Sequence, residues 1–180
     1  MQRVLVMGCS GSGKTTFARA LADRLALPFV SLDALFWKPG WREPDLAAFS
    51  AEIAAVAAKP AWVMDGNYIT HGAGALRRER ADTIFWFDLP RSTCLAGIAR
   101  RIVSSYGEVR PEMAPGCPER FDFAFLRYVW TYRREQRPKL LAYFQGLRPD
   151  QTLVGFTARR EARAVLEREL AGPLPAGAGA

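Results

Sequence analysis

The sequence predicts an α/β fold built on a parallel sheet, and two observations carry that prediction. Strand-like and helix-like patterns alternate in order along most of the 180 residues, as they do where each strand is followed by a crossover helix. The first strand-like run, Val4 to Met7, leads straight into Gly8-Cys9-Ser10-Gly11-Ser12-Gly13-Lys14-Thr15 and then into a helix-like stretch. That segment fits the phosphate-cradling pattern G-x-x-x-x-G-K-[ST] at every fixed position, in the strand–loop–helix context the pattern requires.

The remaining elements follow in sequence. After the first helix (Thr15 to Leu25), Pro28 to Leu32 reads as a short second strand. Beyond a Trp- and Pro-rich loop, Pro44 marks the start of an alanine-rich helix from Asp45 to Ala58, with Leu46, Phe49, Ile53 and Val56 at helical spacing. Ala61 to Asp65 is the third strand, followed by a loop, a short arginine-rich helix and a fourth strand from Thr83 to Asp88. Pro90 opens a helix reaching about Ser104. A Gly/Pro-interrupted insert without a clear period then spans Ser105 to Pro118. One long amphipathic helix is expected from Phe121 to Phe144, a fifth strand over Thr152 to Phe156 and a last helix over Ala158 to Leu170. The chain length suits one domain, residues 1–170, and the Gly/Ala/Pro tail from Ala171 is expected to be disordered.

Composition narrows the class. The apolar run behind Met1-Gln2-Arg3 is too short for a signal-peptide core, and no apolar stretch is long enough to span a bilayer, so a cytoplasmic protein without a membrane partner is expected. Cys9, Cys94 and Cys117 are odd in number and widely spaced, with His71 the one histidine, which argues against a zinc site or a disulfide framework. His71 sits in a flexible Gly-rich stretch and receives no role. The net charge is +7, and only Lys14, Lys38, Lys59 and Lys139 of the 25 basic residues are lysines. Arginine's planar fork suits phosphate handling or a nucleic-acid surface, and an arginine-rich proteome would produce the same excess without function.

The phosphate-loop pattern makes nucleotide binding the leading expectation. Gly8, Cys9, Ser10, Gly11, Ser12, Gly13, Lys14, Thr15 and Thr16 would surround the polyphosphate of ATP or GTP. The glycines free the backbone N–H groups to turn inward, and the following helix offers its positive end. Lys14 would reach the β- and γ-phosphates and Thr15 would ligate Mg²⁺.

Ligands of open parallel sheets bind at the carboxyl ends of the strands, where this sequence places Asp33, Asp65 and Asp88. Trp62-Val63-Met64-Asp65 and Phe85-Trp86-Phe87-Asp88 both have the apolar-strand-plus-Asp form of a magnesium-holding motif. Asp65, followed by the open Gly66-Asn67, is the expected metal residue; Asp88, followed by Leu89-Pro90, is the expected helix cap. Asp33 with Trp37 and Trp41 would form the acceptor pocket, Asp33 orienting a hydroxyl and the rings stacking on a flat or sugar-like group. The alternatives are a helix N-cap for Asp33 and a cover over the sheet for the tryptophans. Asp33, Trp37, Asp65 and Asn67 are the expected substrate contacts.

The insert and its flanks are rich in arginine: Arg100, Arg101, Arg110 and Arg120, then Arg127, Arg133, Arg134 and Arg137 on the next helix. Phosphoryl transfer needs positive charge on the migrating group, and an arginine-bearing lid over about residues 105–120 would supply it while excluding water. Lys14, Asp33, Arg101, Arg120 and Arg134 are the expected catalytic residues, the other arginines a solvated face.

Taken in order, five segments resemble the adenylate-kinase-related P-loop proteins labelled "topology modulation protein" (FlaR-like). They are the phosphate loop, Leu32-Asp33 with Trp37-Lys38-Pro39-Gly40-Trp41, Trp62-Val63-Met64-Asp65-Gly66-Asn67-Tyr68, Ala81-Asp82-Thr83 with Asp88-Leu89-Pro90, and Gly116-Cys117-Pro118-Glu119-Arg120-Phe121-Asp122. The resemblance covers nearly all of the chain to about Phe156. It implies the P-loop NTPase fold of the nucleoside monophosphate kinase group: a three-layer α/β/α arrangement, five parallel strands in the order 2-3-1-4-5, an acceptor region after strand two and a lid after strand four. It also implies that Asp65-Gly66 stands for the Asp-Gly of adenylate kinases and Arg100 or Arg101 for the arginine opening the lid. Where adenylate kinases continue with Phe-Pro-Arg, this chain has Asn67-Tyr68-Ile69, and the missing guanidinium speaks against an AMP acceptor. The family label implies an effect on DNA topology that none of these residues explains.

Two readings result. The first is a Mg²⁺-dependent phosphotransferase using ATP or GTP on a small acceptor, with Asp33, or else Asp65, orienting the acceptor. The second is a nucleotide-binding regulator that contacts DNA or RNA through its arginines. Either would act as a monomer or homodimer.

Overall fold

Residues 1–171 are described by a computed structural model. In chain order they form β1 (Arg3–Gly8), α1 (Lys14–Leu25), β2 (Phe29–Ser31), α2 (Leu32–Phe36), α3 (Leu46–Ala57), β3 (Trp62–Asp65), α4 (Gly74–Arg80), β4 (Thr83–Phe87), α5 (Arg91–Ser105), α6 (Phe123–Glu135), α7 (Arg137–Phe144), β5 (Thr152–Phe156) and α8 (Arg159–Ala171). The five strands make one all-parallel sheet in the order β2-β3-β1-β4-β5, flanked by helices, as expected. Ala171, expected to open the tail, closes α8; the rest of that expected tail lies outside the described residues. No helix among the described residues is long and apolar enough to cross a membrane.

β1 is central, and its continuous apolar run Val4-Leu5-Val6-Met7 is fully buried on both faces, as a parallel strand covered by helices must be. Below the phosphate loop, the Phe17 ring of α1 makes edge contacts with Phe85, Phe87 and Phe156 at 4.9, 5.4 and 5.5 Å. Each such pair adds about 0.5–1.5 kcal/mol beyond area burial. The cluster fixes the first turn of α1 on β4 and β5, and so fixes where the loop ends.

Three local expectations change. The helix expected over 121–144 is two helices that meet at Gln136, which caps both. Pro138 lacks the N–H that a continuous helix would direct at the carbonyl of residue 134, so the axis breaks there. A helix not expected from the sequence, α2, follows β2 directly, with Ser31 Oγ accepting from the Ala34 N–H at 3.2 Å. The alanine-rich helix, expected from Asp45, starts at Leu46, because Asp45 caps it by accepting from the Ala48 N–H at 2.7 Å.

Candidate active site

β1 ends in the phosphate loop. Its turn is tight: a Cβ on Gly11 would lie 2.2 Å from the Cys94 carbonyl oxygen of α5, and one on Gly8 2.6 Å from the Phe87 carbonyl oxygen, with φ of +77° and +140°. Only glycine meets both demands. Two further contacts fix the loop. The Arg159 Nε donates to Ser12 O at 3.0 Å and its Nη2 to Gly11 O at 2.6 Å, which holds both carbonyls away from an anion. Cys9 turns its side chain into the core beside Cys94, and their contact together with burial pushes the Cys9 thiol well up; only its backbone can serve a ligand.

At the start of α1, Thr15 Oγ1 donates to Asp65 Oδ2 at 2.5 Å, and the Lys14 ammonium lies 3.8 Å from Asp65 Oδ1. Asp65 is 3% exposed. Burial raises its carboxyl above the usual range, and Lys14 and the Thr15 hydroxyl pull it only part of the way back. Its buried Oδ1 has no hydrogen-bond partner. A hydroxyl and a carboxylate side by side, one oxygen unsatisfied, make an oxygen donor set of the kind Mg²⁺ takes together with phosphate oxygens and water. The residues therefore fit the metal.

The second strand-ending aspartate does something else. Asp88 does not cap α5, whose N-cap is Pro90 with no side-chain bond. It takes a two-point contact from Arg137, Nε and Nη2 both reaching Oδ2 at 2.9 and 2.8 Å. The helix break at Gln136 is what brings Arg137 to the end of β4.

One cavity of about 1020 Å³ joins the phosphate loop to the expected acceptor wall. Asp33, freed from capping by Ser31, lies in the first turn of α2 and accepts the Tyr68 hydroxyl at 2.8 Å on Oδ1. Trp37 and Trp41 meet edge to face at 5.4 Å and serve both expected purposes, since they line the cavity and also pack against Met113, Ala114 and Cys117 of the insert. Tyr128 lines the opposite side, its phenol pushed up by burial to about 12.

The insert between α5 and α6 is tied down onto this wall. Ser31 Oγ donates to Glu112 O at 2.8 Å, Gly40 N–H to Gly116 O at 2.9 Å and Trp41 Nε1 to Pro118 O at 3.1 Å. Its centre is Glu119, 5% exposed, held by Arg101 at 3.0 Å and by Arg110 at 3.0 Å, while Arg110 also reaches Glu112 at 2.8 Å. Arg120 lies at the cavity rim over the Trp41 ring and next to Asp122. Arg134 is a correction: its side chain is 82% exposed, pairs with Glu135 and does not line the cavity. On α6 the residue faces outward, a solvated position that the loss of the continuous helix does not alter.

Asn67 lines the same cavity. Its amide, expected to meet substrate, is engaged with the backbone of Gly8. Sequence reasoning missed Arg159, Tyr68, Tyr128 and Glu119. Tyr68 and Glu119 stand inside motif segments and carry that much signal. Arg159, 148 residues from Gly11, looks in sequence like any exposed arginine opening a helix.

No protein-family model and no curated relative matches the sequence. Solved structures do. The chain superposes on a shikimate kinase from Bacteroides thetaiotaomicron with a TM-score of 0.54 at 16% identity, covering 93% of this chain and 95% of that one. A shikimate kinase from Acinetobacter baumannii in complex with shikimate gives 0.53 at 18% identity, over 97% and 96%. A putative kinase from Chloroflexus aurantiacus gives 0.50 at 17% identity, over 95% and 98%. At such identities the likeness establishes the fold, that of P-loop kinases.

Proposed function

We propose that the chain is a Mg²⁺-dependent phosphotransferase that moves the terminal phosphoryl group of ATP or GTP to a hydroxyl of a small acceptor. The observation that carries this is the single cavity lined by Lys14 and Thr15, with Asp65 bonded behind them, at one end and by Asp33 with its aromatic wall at the other, under an arginine-bearing insert. The kinase fold of the structural neighbours supports it. The order of motifs along the sequence supports the finer placement in the adenylate-kinase-related group.

In this reading Lys14 and the loop amides grip the β- and γ-phosphates. Thr15 and Asp65 would hold Mg²⁺, which neutralises charge on those phosphates when bound. Asp33, steadied by Tyr68, orients the acceptor hydroxyl and receives its proton. The acceptor oxygen forms the new P–O bond as the bond to the diphosphate breaks, and the proton leaves Asp33 to solvent. Arg101, Arg110 and Arg120 face the region where negative charge spreads. Residues 105–120 act as a lid, and the bonds from Ser31, Gly40 and Trp41 represent its closed position. Contact with nucleic acid gains no support from this cavity.

The test is MgATP binding by calorimetry for the wild type and Lys14→Ala, followed by ATP consumption over pools of hydroxyl-bearing acceptors. Lys14→Ala is expected to stay folded and lose most triphosphate affinity. A folded variant with wild-type affinity would remove the basis of the assignment.

A further inference from the structure

Asn67 follows the Asp65-Gly66 corner, and its side chain does the work of a missing strand. The β1–β3 ladder ends with Val6 opposite Asp65 and the Gly66 N–H donating to Val6 O at 3.1 Å. Gly8, two residues further on, has no backbone partner on that side. Instead its N–H donates to Asn67 Oδ1 at 2.9 Å, and Asn67 Nδ2 donates to Gly8 O at 3.1 Å. The orientation of the amide is fixed by its partners, because an N–H only donates and a carbonyl only accepts. The same Nδ2 reaches the Tyr132 hydroxyl of α6 at 3.3 Å.

Gly8 is where the phosphate loop begins, and it is squeezed from the other side by Phe87 of β4 at φ +140°. Its peptide plane sets the direction in which the loop leaves the sheet. Asn67 is itself immobilised from behind. The fully buried Arg77 donates to Asn67 O at 2.7 Å, to Tyr68 O at 2.9 Å and to Gly72 O at 2.6 Å. Burial lowers the Arg77 guanidinium to about 10, so it stays charged at neutral pH. A buried charge is costly unless its bonds are made; Nε and Nη2 make theirs to the segment that carries Asn67 and hold it, while Nη1 has no partner.

We propose that Asn67 is a positioning residue: its amide clamps both polar groups of Gly8, sets the phosphate loop in its anion-accepting form and links that loop through Tyr132 to α6, the helix to which the insert returns. This rests on the reading of the loop as a triphosphate site. Loss of the clamp leaves two loop groups to reorganise at each binding event, and with both hydrogen bonds gone triphosphate affinity falls about tenfold.

The experiment compares wild type, Asn67→Ala and the isosteric Asn67→Asp, which keeps an acceptor for the Gly8 N–H but places oxygen against its carbonyl. MgATP affinity is measured by calorimetry, amide exchange across residues 3–16 and 83–87 in the free proteins, and thermal melting for each. The expected result is an affinity loss of about tenfold or more in both variants, with exchange faster in 8–13 and unchanged in the strands. Asn67→Asp covers the case in which the alanine variant does not fold. Folded variants binding MgATP within twofold of wild type would overturn the proposal while leaving the nucleotide site intact. So would affinity lost only in step with a large fall in melting temperature and uniformly faster exchange, which marks a merely structural residue. A wild-type protein that binds no MgATP would remove the function reading itself, and this inference with it.

Discussion

Replacing Gly97 by alanine in the middle of α5 adds one methyl group, and in an isolated helix it would stabilise by about 1 kcal/mol. Here the added Cβ would lie 2.0 Å from Gly11 O and 2.7 Å from the Arg159 Nη2. A carbon needs about 3.3 Å from a carbonyl oxygen, so the phosphate loop must retreat by more than ~1 Å. It cannot do so freely, because Arg159 holds that same oxygen at 2.6 Å. Overpacking costs about 1–3 kcal/mol, and disturbing a hydrogen bond to a charged group about 1.5–3 kcal/mol. Against the propensity gain, the net loss is about 2–4 kcal/mol. For a domain of this size that lowers the melting temperature by roughly 5–15 °C, and the displaced loop weakens MgATP binding. Gly155→Ala in β5 is the control: its Cβ would meet only Trp86 Cε3, at an ordinary 3.8 Å, so melting temperature and nucleotide affinity both stay close to wild type. Differential scanning fluorimetry and calorimetric MgATP titration read both quantities. A Gly97→Ala protein that melts higher than wild type and binds MgATP equally well would refute the packing argument.

The two strand-ending aspartates separate by assay. Asp65→Asn is expected to cut Mg²⁺-dependent turnover about 100-fold or more without lowering the melting temperature, since it removes a buried charge; Asp88→Asn, which strips Arg137 of its two-point partner, should lower stability by about 1–2 kcal/mol with turnover nearly unchanged, and the reverse pattern would exchange their roles. Glu119→Ala leaves Arg101 and Arg110 facing each other without their shared counter-charge; amide exchange over residues 106–120 should accelerate, and an unchanged rate would mean that Glu119 does not hold the insert. At the start of β1, burial works against the charge on Asp82, but the Arg3 and Gln2 N–H groups and the Thr83 hydroxyl outweigh it and hold the carboxyl below its usual range. A depressed carboxyl contributes stability that is complete above the unfolded value of about 3.9 and is lost as pH falls through the lower folded value; the stability gap between wild type and Asp82→Asn in urea should therefore be flat from about pH 7 to 5 and close below about pH 4, and a gap that survives strong acid would contradict this.

The sequence by itself determined the sheet and the tight glycine loop after its first strand, and it set Asp65 apart from Asp88 as the expected metal residue. These are local matters: a continuous apolar run makes a buried strand, glycines at 8, 11 and 13 permit conformations other residues resist, and Gly66-Asn67 after Asp65 leaves the strand end open where Leu89-Pro90 after Asp88 does not. What tertiary structure decided is which neighbour each polar group meets. Arg137 reaches Asp88 only because Pro138 breaks the helix, Arg134 on the adjoining helix faces solvent, and Ser31 takes the cap that leaves Asp33 for Tyr68. Asn67 and Arg159 make their decisive bonds to backbone groups 59 and 148 residues away. A backbone carbonyl or N–H is the same in every residue, so no pattern of side chains along the chain marks the one a distant amide or guanidinium will find; folding the sheet and packing α5 and α8 against the loop is what selects it.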